Sequence, residues 1–233
     1  MNSKYCSGFE EETDSCSIVS KWVDDGKPCK CVYNGKKCRL FEIYKYIEPS
    51  EEKEQLPQLT QEIREKLVKR IAERWRKRKK GSGGRYEIGG SLERVLLEIF
   101  KEKIGSHHVS KPTNKRKSSD CSPYASEWCN MQPDIMIKKD NKVTYIECKV
   151  TVSPESFRDA FARAYFLKRH KAEKPRFYLI GTHFYKYRPK EKENFEKIIN
   201  AMKENANGYI DGIYFIGHKP YVDKFFEENE SAY

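Results

Sequence analysis

The sequence predicts an α/β fold with a central mixed β-sheet flanked by helices. From residue 89 onward, apolar patterns follow one another in the order helix, strand, strand, helix, strand, helix, strand, helix. Such an alternation is typical of one sheet with helices on its faces. A chain of 233 residues is long enough for one sizeable core, with or without a small appendage.

Composition divides the chain into three parts. Residues 1–48 are Cys-rich, residues 49–84 form a polar linker and a basic helix, and residues 85–233 form the α/β core. In the first part, Asn34-Gly35 lies between β-prone runs and predicts a two-residue hairpin. Five cysteines lie in this part: Cys6, Cys16, Cys29, Cys31 and Cys38. Their spacings lack the usual C-x2-C pair, so structural Zn²⁺, disulfides and free thiols all stay open.

The basic helix of the second part is expected to pack along one face and to contact phosphates at its end. Thr60 is its expected N-cap, and Ile63, Leu67, Ile71 and Trp75 recur every four residues along one stripe. Six cations follow in its last turns: Arg74, Arg76, Lys77, Arg78, Lys79 and Lys80. Six cations are more than are needed to complement the helix macrodipole. We therefore expect a phosphate-contacting patch, with a solvated face as the alternative.

The net charge of +11 favours a polyanionic partner, and nucleic acid is the first candidate. The alternative is a Lys- and Glu-rich surface that only maintains solubility or heat resistance. No run of about 18 apolar residues is present, so we expect no membrane contact. The N-terminal residues lack the apolar stretch of a signal peptide, which predicts an intracellular protein.

Four helices and four strands are predicted in the third part. The helices cover about 91–104, 154–171, 190–206 and 220–229, and the strands about 133–138, 142–150, 175–181 and 209–217. A long polar segment, 105–131, separates the first helix from the first strand and is expected to be a functional loop or disordered. It contains a basic run with Lys115, Arg116 and Lys117. The five histidines are scattered and are expected in loops or at the surface.

The first two strands of the core are predicted to form a hairpin that gathers charged groups. A turn centred on Asp140-Asn141, both of which tolerate positive φ, places Asp134 directly opposite Glu147. Lys149 follows two residues later on the same face, because side chains alternate along a strand. Ile135, Ile137, Ile146, Cys148 and Val150 point to the other face. We therefore expect one apolar face and one that collects Asp, Glu and Lys, although a solvated charged face would show a similar pattern.

The helix before the hairpin supplies a third unusual carboxylate. Leu92, Val95, Leu96, Ile99 and Phe100 form a buried stripe on it. Glu93 falls within the same apolar arc, whereas Glu98 falls on the polar side. A buried glutamate is costly unless it is paired, protonated or bound to a metal. Three carboxylates near one ammonium suit Mg²⁺ or Mn²⁺ and phosphodiester hydrolysis.

These residues resemble a known signature. Pro133-Asp134, a gap of twelve residues and then Glu147-Cys148-Lys149 are similar to the motif of the PD-(D/E)XK nuclease superfamily. The stretches GGSLERVLLEIF and YIECKVT resemble archaeal Holliday junction resolvases and nucleases of archaeal viruses. The resemblance covers about residues 85–181; it leaves residues 1–80 unexplained, and the 105–131 segment departs from compact resolvases.

The resemblance implies a restriction-endonuclease-like core and a metal-dependent DNA endonuclease, often a homodimer. It implies that Asp134, Glu147, Glu93 and the main-chain carbonyl of Cys148 hold the metal, and that Lys149 is the catalytic base or positions the water. Arg158 and Arg163, or Lys168 and Arg169, are then expected to approach DNA phosphates, with a solvated basic face as the alternative. Structure-specific cleavage, a type II restriction enzyme and a non-catalytic nucleic-acid-binding protein that uses the Cys-rich part all stay open.

Overall fold

A computed structural model describes residues 9–10, 15–16, 56–76, 84–112, 132–170, 174–184, 197, 200–202, 204–206 and 208–229. The chain divides into two compact units, Met1–Val95 and Leu96–Tyr233. The predicted Asn34-Gly35 hairpin and most of the 105–131 segment lie outside the described residues. The predicted division into three parts stays a prediction.

The first unit contains two short strands and a long helix. Strands β1 (Phe9–Glu10) and β2 (Ser15–Cys16) pair antiparallel, and helix α1 covers Gln58–Arg76. Helix α2, Gly84–Ile104, begins in this unit and ends in the second.

The apolar stripe of α1 is confirmed where the structure describes its side chains. Ile63, Leu67 and Ile71 are at most 2% exposed. The predicted N-cap at Thr60 is wrong, because the amide of Gln61 donates to the carbonyl of Pro57 and the helix has already begun at Gln58. Thr60 lies inside the helix and is fully buried, so its hydroxyl group does not mark the start.

Helix α2 begins earlier than the sequence predicts. It starts at Gly84 rather than near residue 91, although Gly89 and Gly90 are poor helix formers. A Cβ at position 90 would lie 3.3 Å from Nη1 of Arg74, so the glycine lets this α1 side chain approach the helix. The buried stripe is confirmed, since Leu92, Leu96 and Phe100 are fully buried. Packing therefore outweighs the low helix propensity of the glycines.

The second unit contains a mixed five-stranded sheet with flanking helices, which confirms the predicted α/β class. Its strands are β3 (Val109–Ser110), β4 (Ile135–Lys139), β5 (Lys142–Val152), β6 (Arg176–Phe184) and β7 (Gly212–Phe215). They lie in the order β3-β4-β5-β6-β7, with antiparallel pairing from β3 to β5 and parallel pairing from β5 to β7. Helix α3 covers Pro154–His170, and helix α4 covers Val222–Asn229.

The four predicted strands are found within a few residues of their expected bounds. Strand β3 was not predicted, because its two residues are too short for an alternating pattern to be visible. Of the predicted helix 190–206, the described residues between 197 and 205 are helical.

Both faces of the sheet are packed. On one face, Tyr145, Phe177 and Phe215 form a core with Ala160 and Ala164 of α3. The alternate residues point to the opposite face, where the ring of Phe225 from α4 contacts three others. Its centroid lies 5.3 Å from Phe100, 4.9 Å from Tyr178 and 5.7 Å from Tyr214. The sheet of this unit therefore lies between α3 on one side and α4 with the end of α2 on the other.

Candidate active site

The hairpin turn that positions the candidate site forms where the sequence predicts it. Asp140 and Asn141 have φ of 49° and 61°, the left-handed values that a two-residue turn of this kind requires. The resulting register pairs Met136 with Tyr145 and Ile135 with Ile146, as expected. One turn thus fixes the placement of every side chain along both strands.

The ladder ends one residue before the expected pairing of Asp134 with Glu147. The backbone bends at Asp134, and its amide donates to the carbonyl of Ile146 at 3.1 Å. Its side chain turns toward the neighbouring strand instead, where Oδ2 accepts a hydrogen bond of 2.7 Å from the amide of Cys148. The carboxylate of Asp134 is therefore held against the peptide that joins Glu147 to Cys148.

Glu147 is a buried carboxylate with two cationic partners. Its side chain is 1% exposed, and its Oε1 lies 2.7 Å from Nζ of Lys149 and 2.6 Å from Nη1 of Arg163. Two positive charges offset the cost of burying one carboxylate. The second oxygen, Oε2, is buried and has no hydrogen-bond partner among the described residues. A buried polar atom in this state is commonly found where a protein binds an ion or an ordered water.

Arg163 links the segment that precedes β4 to the centre of β5. Its Nη1 donates to the carbonyl of Gln132 at 3.2 Å as well as to Glu147. The side chain of Arg163 is 27% exposed. Arg163 was predicted to contact DNA; in this structure it is an ion-pair partner of the predicted metal ligand.

The predicted separation into one apolar and one charged face is wrong for β5. Tyr145 and Glu147 lie on the same face, and Tyr145 belongs to the core that packs against α3. Ile146 and Cys148, on the opposite face, are also buried, as predicted. Strand β5 is central and pairs in parallel with β6, and strands in that position are covered on both sides. Glu147 therefore lies under a helix rather than on an open surface.

Beside Lys149, β6 carries a glycine where a side chain would not fit. Gly181 pairs with Lys149. A Cβ at this position would lie 2.6 Å from Cγ2 of Val152 and 3.3 Å from the carbonyl oxygen of Lys149. The close approach of β5 and β6 at the candidate site thus depends on this glycine.

A buried histidine, which was not predicted to lie in the core, adjoins the site. His183 is 8% exposed and pairs with Thr151, two residues beyond Lys149 on β5. Its Nε2 lies 3.2 Å from Oγ1 of Thr151, and its Nδ1 lies 2.8 Å from Oγ1 of Thr182. His218 is buried as well, with its ring 4.0 Å from that of Phe215. His218 lies in the bend after β7, as a loop histidine would, whereas His183 lies within β6, so the prediction that all five histidines lie in loops or at the surface is wrong for His183. A histidine within the β-prone run RFYLIGTHF was the available signal.

The remaining predicted site residues are distributed as follows. Glu93 is half-buried and Glu98 is exposed, as the helical arc predicts, and Glu93 belongs to the first unit. Arg158 is exposed on α3, whereas Arg74 is half-buried with Nη1 3.5 Å from Oγ of Ser91. Several other predictions fall on residues or side chains outside the described part: Arg76, Lys77, Arg78, Lys79, Lys80, Lys115, Arg116, Lys117, Cys6, Cys29, Cys31, Cys38 and the side chain of Cys16.

The residues of the hairpin fit a hard divalent cation in part. Among the described residues, no group of three or more His, Cys, Asp and Glu side chains lies close enough to hold a metal. Two carboxylates do lie at the same stretch of β5, and one of their oxygens, Oε2 of Glu147, is buried without a hydrogen-bond partner in the part of the chain that the structure describes. Carboxylate and carbonyl oxygens are the ligands that Mg²⁺ and Mn²⁺ prefer, and Mg²⁺ retains waters in place of further protein ligands.

Comparison of the chain with protein-family models, with curated proteins and with solved structures gives no match. Among the helices that the structure describes, none combines the length and the apolar character that a membrane crossing requires.

Proposed function

We propose that this protein is a Mg²⁺- or Mn²⁺-dependent DNA endonuclease with a restriction-endonuclease-like core, as its resemblance to the PD-(D/E)XK superfamily implies. The observation that carries the proposal is the buried carboxylate of Glu147, whose Oε2 has no hydrogen-bond partner among the described residues while Oε1 contacts Lys149. A buried acid beside an ammonium, on a strand whose backbone also binds Asp134, supports metal-assisted phosphodiester hydrolysis.

The residues of the hairpin would divide the chemistry between them. Oε2 of Glu147, the carboxylate of Asp134 and the main-chain carbonyl of Cys148 would hold the cation. When bound, such an ion lowers the pKa of a coordinated water and offsets the charge that develops on the phosphate. Lys149 would orient the attacking water or stabilise the developing negative charge.

The ion pair between Glu147 and Lys149 serves this chemistry in a second way. Because Oε1 of Glu147 holds Nζ of Lys149 at 2.7 Å, the ammonium is fixed in position before any substrate arrives. A preorganised cation costs no reorganisation when charge develops in the transition state. Lys149 is 22% exposed at its side chain, so it is also accessible to a substrate.

DNA as the partner, a homodimer that cuts two strands and an intracellular location belong to the same proposal. The net charge of +11 supports a polyanionic partner. Exposed Arg158 on α3 is a candidate phosphate contact, together with the predicted basic end of α1.

Cleavage assays with matched variants test the proposal. Plasmid, four-way-junction and flap DNA would be incubated with the protein in Mg²⁺, Mn²⁺ or EDTA. We expect cleavage with Mg²⁺ or Mn²⁺ only, and a loss of at least 100-fold for Asp134→Asn, Glu147→Gln and Lys149→Met. Glu98→Gln and Lys142→Gln, which remove exposed charges of the same kinds, serve as controls and should cut normally. Unchanged cleavage by any of the three site variants would overturn the site assignment.

A non-catalytic nucleic-acid-binding protein is the second candidate. It is favoured by one observation, that Lys149 and Arg163 together already neutralise Glu147. This candidate predicts DNA binding without nicking in any divalent ion, whichever substrate is offered. It takes precedence if the wild-type protein cuts none of the three substrates while still retarding them on a gel.

A further inference from the structure

A cavity of about 560 Å³ lies at the C-terminal end of helix α3. It is formed where α3 ends and where β6 and β7 begin. Tyr209 lines it, together with four cations and one carboxylate. These charged residues are Lys168, Arg169, Lys174, Arg176 and Asp211. The lining is therefore strongly basic.

The single lining carboxylate is already engaged by protein groups. Oδ2 of Asp211 accepts hydrogen bonds of 2.6 Å from the amide of Phe177 and from Nζ of Lys168. Lys168 also donates to the carbonyl of Gly208 at 2.8 Å, and its side chain is only 13% exposed. Lys168 and Asp211 thus form an ion pair in the wall of the cavity, and their charges neutralise each other.

The remaining cations face solvent. Arg169, Lys174 and Arg176 are all exposed. Nη1 of Arg176 donates to Oδ1 of Asn229 at 2.8 Å, a neutral partner that orients the guanidinium without neutralising it. Three exposed cations at one concave site favour an anionic ligand, and guanidinium groups favour phosphate in particular.

An aromatic platform adjoins these cations. Tyr165 is 39% exposed. Among the described residues, it is the only large hydrophobic side chain that is exposed. Its ring lies 4.8 Å from that of Tyr209, a lining residue of the cavity, and Phe161 supports Tyr209 edge-on at 5.8 Å. Cζ of Arg169 lies 5.6 Å from the centroid of Tyr165. The platform and the basic cavity therefore form one continuous surface.

We propose that this surface, defined by Tyr165, Arg169, Lys174, Arg176 and Tyr209, binds single-stranded nucleic acid. An unpaired base would stack on Tyr165 while the adjacent phosphate enters the cavity. Exposed aromatic rings beside cations are how proteins bind single strands without reading sequence. A duplex keeps its bases stacked inside, so it could use the cations but not the ring of Tyr165. This inference goes beyond the proposed cleavage activity and does not depend on it.

Binding measurements in EDTA test this surface apart from any cleavage. The anisotropy of a labelled dT oligomer of about ten nucleotides would be followed with the full-length protein and its variants. We expect Tyr165→Ala to weaken binding about 5- to 100-fold, whereas Tyr165→Phe, which keeps the ring, should bind like the wild type. Lys174→Gln should weaken binding and should lower the slope of log affinity against log salt by about 0.7. Lys101→Gln, at an exposed position of α2, is the charge-matched control.

The results separate this inference from the nuclease proposal. Wild-type binding by both Tyr165→Ala and Lys174→Gln would overturn it, and so would equal weakening by Lys101→Gln, which would assign the effect to net charge alone. Crosslinking with a 5-iodouracil oligomer gives an independent readout, with Tyr165 or Tyr209 as the expected adduct; adducts only elsewhere would also overturn the inference. If the protein never cuts DNA but these variants lose single-strand binding, this inference stands while the nuclease proposal fails.

Discussion

Nη1 of Arg163, on helix α3, lies 2.6 Å from Oε1 of Glu147, which is buried in the central strand of the sheet. This contact joins the helix to the candidate active site through a charge that solvent does not reach. Because a buried charge depends on its partners, the same contact affects both the stability of the second unit and the position of the proposed metal ligand.

Arg163→Met should lower the free energy of unfolding by about 1.5–3 kcal/mol, the usual worth of a hydrogen bond to a charged group. Lys149 stays as a second partner of Glu147, which keeps the loss below that of a completely unpaired buried charge. Urea denaturation of Arg163→Met, Glu147→Gln and the double variant gives the coupling energy. Additive effects of the two changes would contradict the ion pair, and Arg158→Met, at an exposed position of the same helix, is the control.

Asp134 offers a way to separate folding from chemistry. Asp134→Ala removes the acceptor for the amide of Cys148 and should cost about 1–3 kcal/mol of unfolding free energy. Asp134→Asn keeps an oxygen that accepts this hydrogen bond, so it should cost less than half as much. Both variants should lose cleavage, since the amide is a poor ligand for Mg²⁺ compared with a carboxylate. Equal destabilisation by the two changes would show that the hydrogen bond is not what Asp134 contributes.

Gly181→Ala should destabilise the second unit by about 1–3 kcal/mol, as expected for an overpacked core. The added methyl group would lie 2.6 Å from Cγ2 of Val152 and would also press on the carbonyl of Lys149. Gly89→Ala is the matched control, because nothing lies within 4 Å of its added Cβ and alanine favours the helix. Thermal melts followed by circular dichroism compare the two; an equal melting temperature for Gly181→Ala and the wild type would contradict the close approach of β5 and β6.

Stability should fall as the pH rises above about 10, because two tyrosines hold their protons more tightly in the folded chain. Burial raises the pKa of Tyr214 above its ordinary value of 10.0, and the hydrogen bond to Glu228 adds to the effect. Burial also raises the pKa of Tyr178. Below pH 10 both states keep the proton; above it, the unfolded chain loses protons that the folded chain retains, so unfolding is favoured.

Urea titrations between pH 8 and 11.5 would measure this slope. Tyr214→Phe should make the unfolding free energy fall less steeply with pH, by up to about 1.4 kcal/mol per pH unit above pH 10. Glu228→Gln, which keeps the phenol but removes its charged acceptor, should give an intermediate slope. A slope identical to that of the wild type in Tyr214→Phe would contradict the expected linkage.

The secondary structure of the core and the register of its hairpin follow from local sequence. Asp140-Asn141 sets the turn, and the turn sets which residues of β4 and β5 meet, since a shift by one residue would reverse both faces. The apolar stripes of α1 and α2 could also be predicted from local sequence, because the spacing of apolar residues along a helix determines which side chains are buried. The start of α2 could not be found in this way, since the packing of Arg74 against Gly90 opposes the local preference of glycine.

The sequence by itself determined the α/β class, the hairpin and the unusual placement of Asp134, Glu147 and Lys149 within it. Only the tertiary structure decided that Glu147 lies under α3 with Arg163 as a partner, and that His183 is buried beside Thr151. It also decided that Tyr165 joins the basic cavity of Arg169 and Lys174. The reason is physical: turns and side-chain periodicity act over a few residues, whereas burial and ion pairing depend on which distant segments cover a strand.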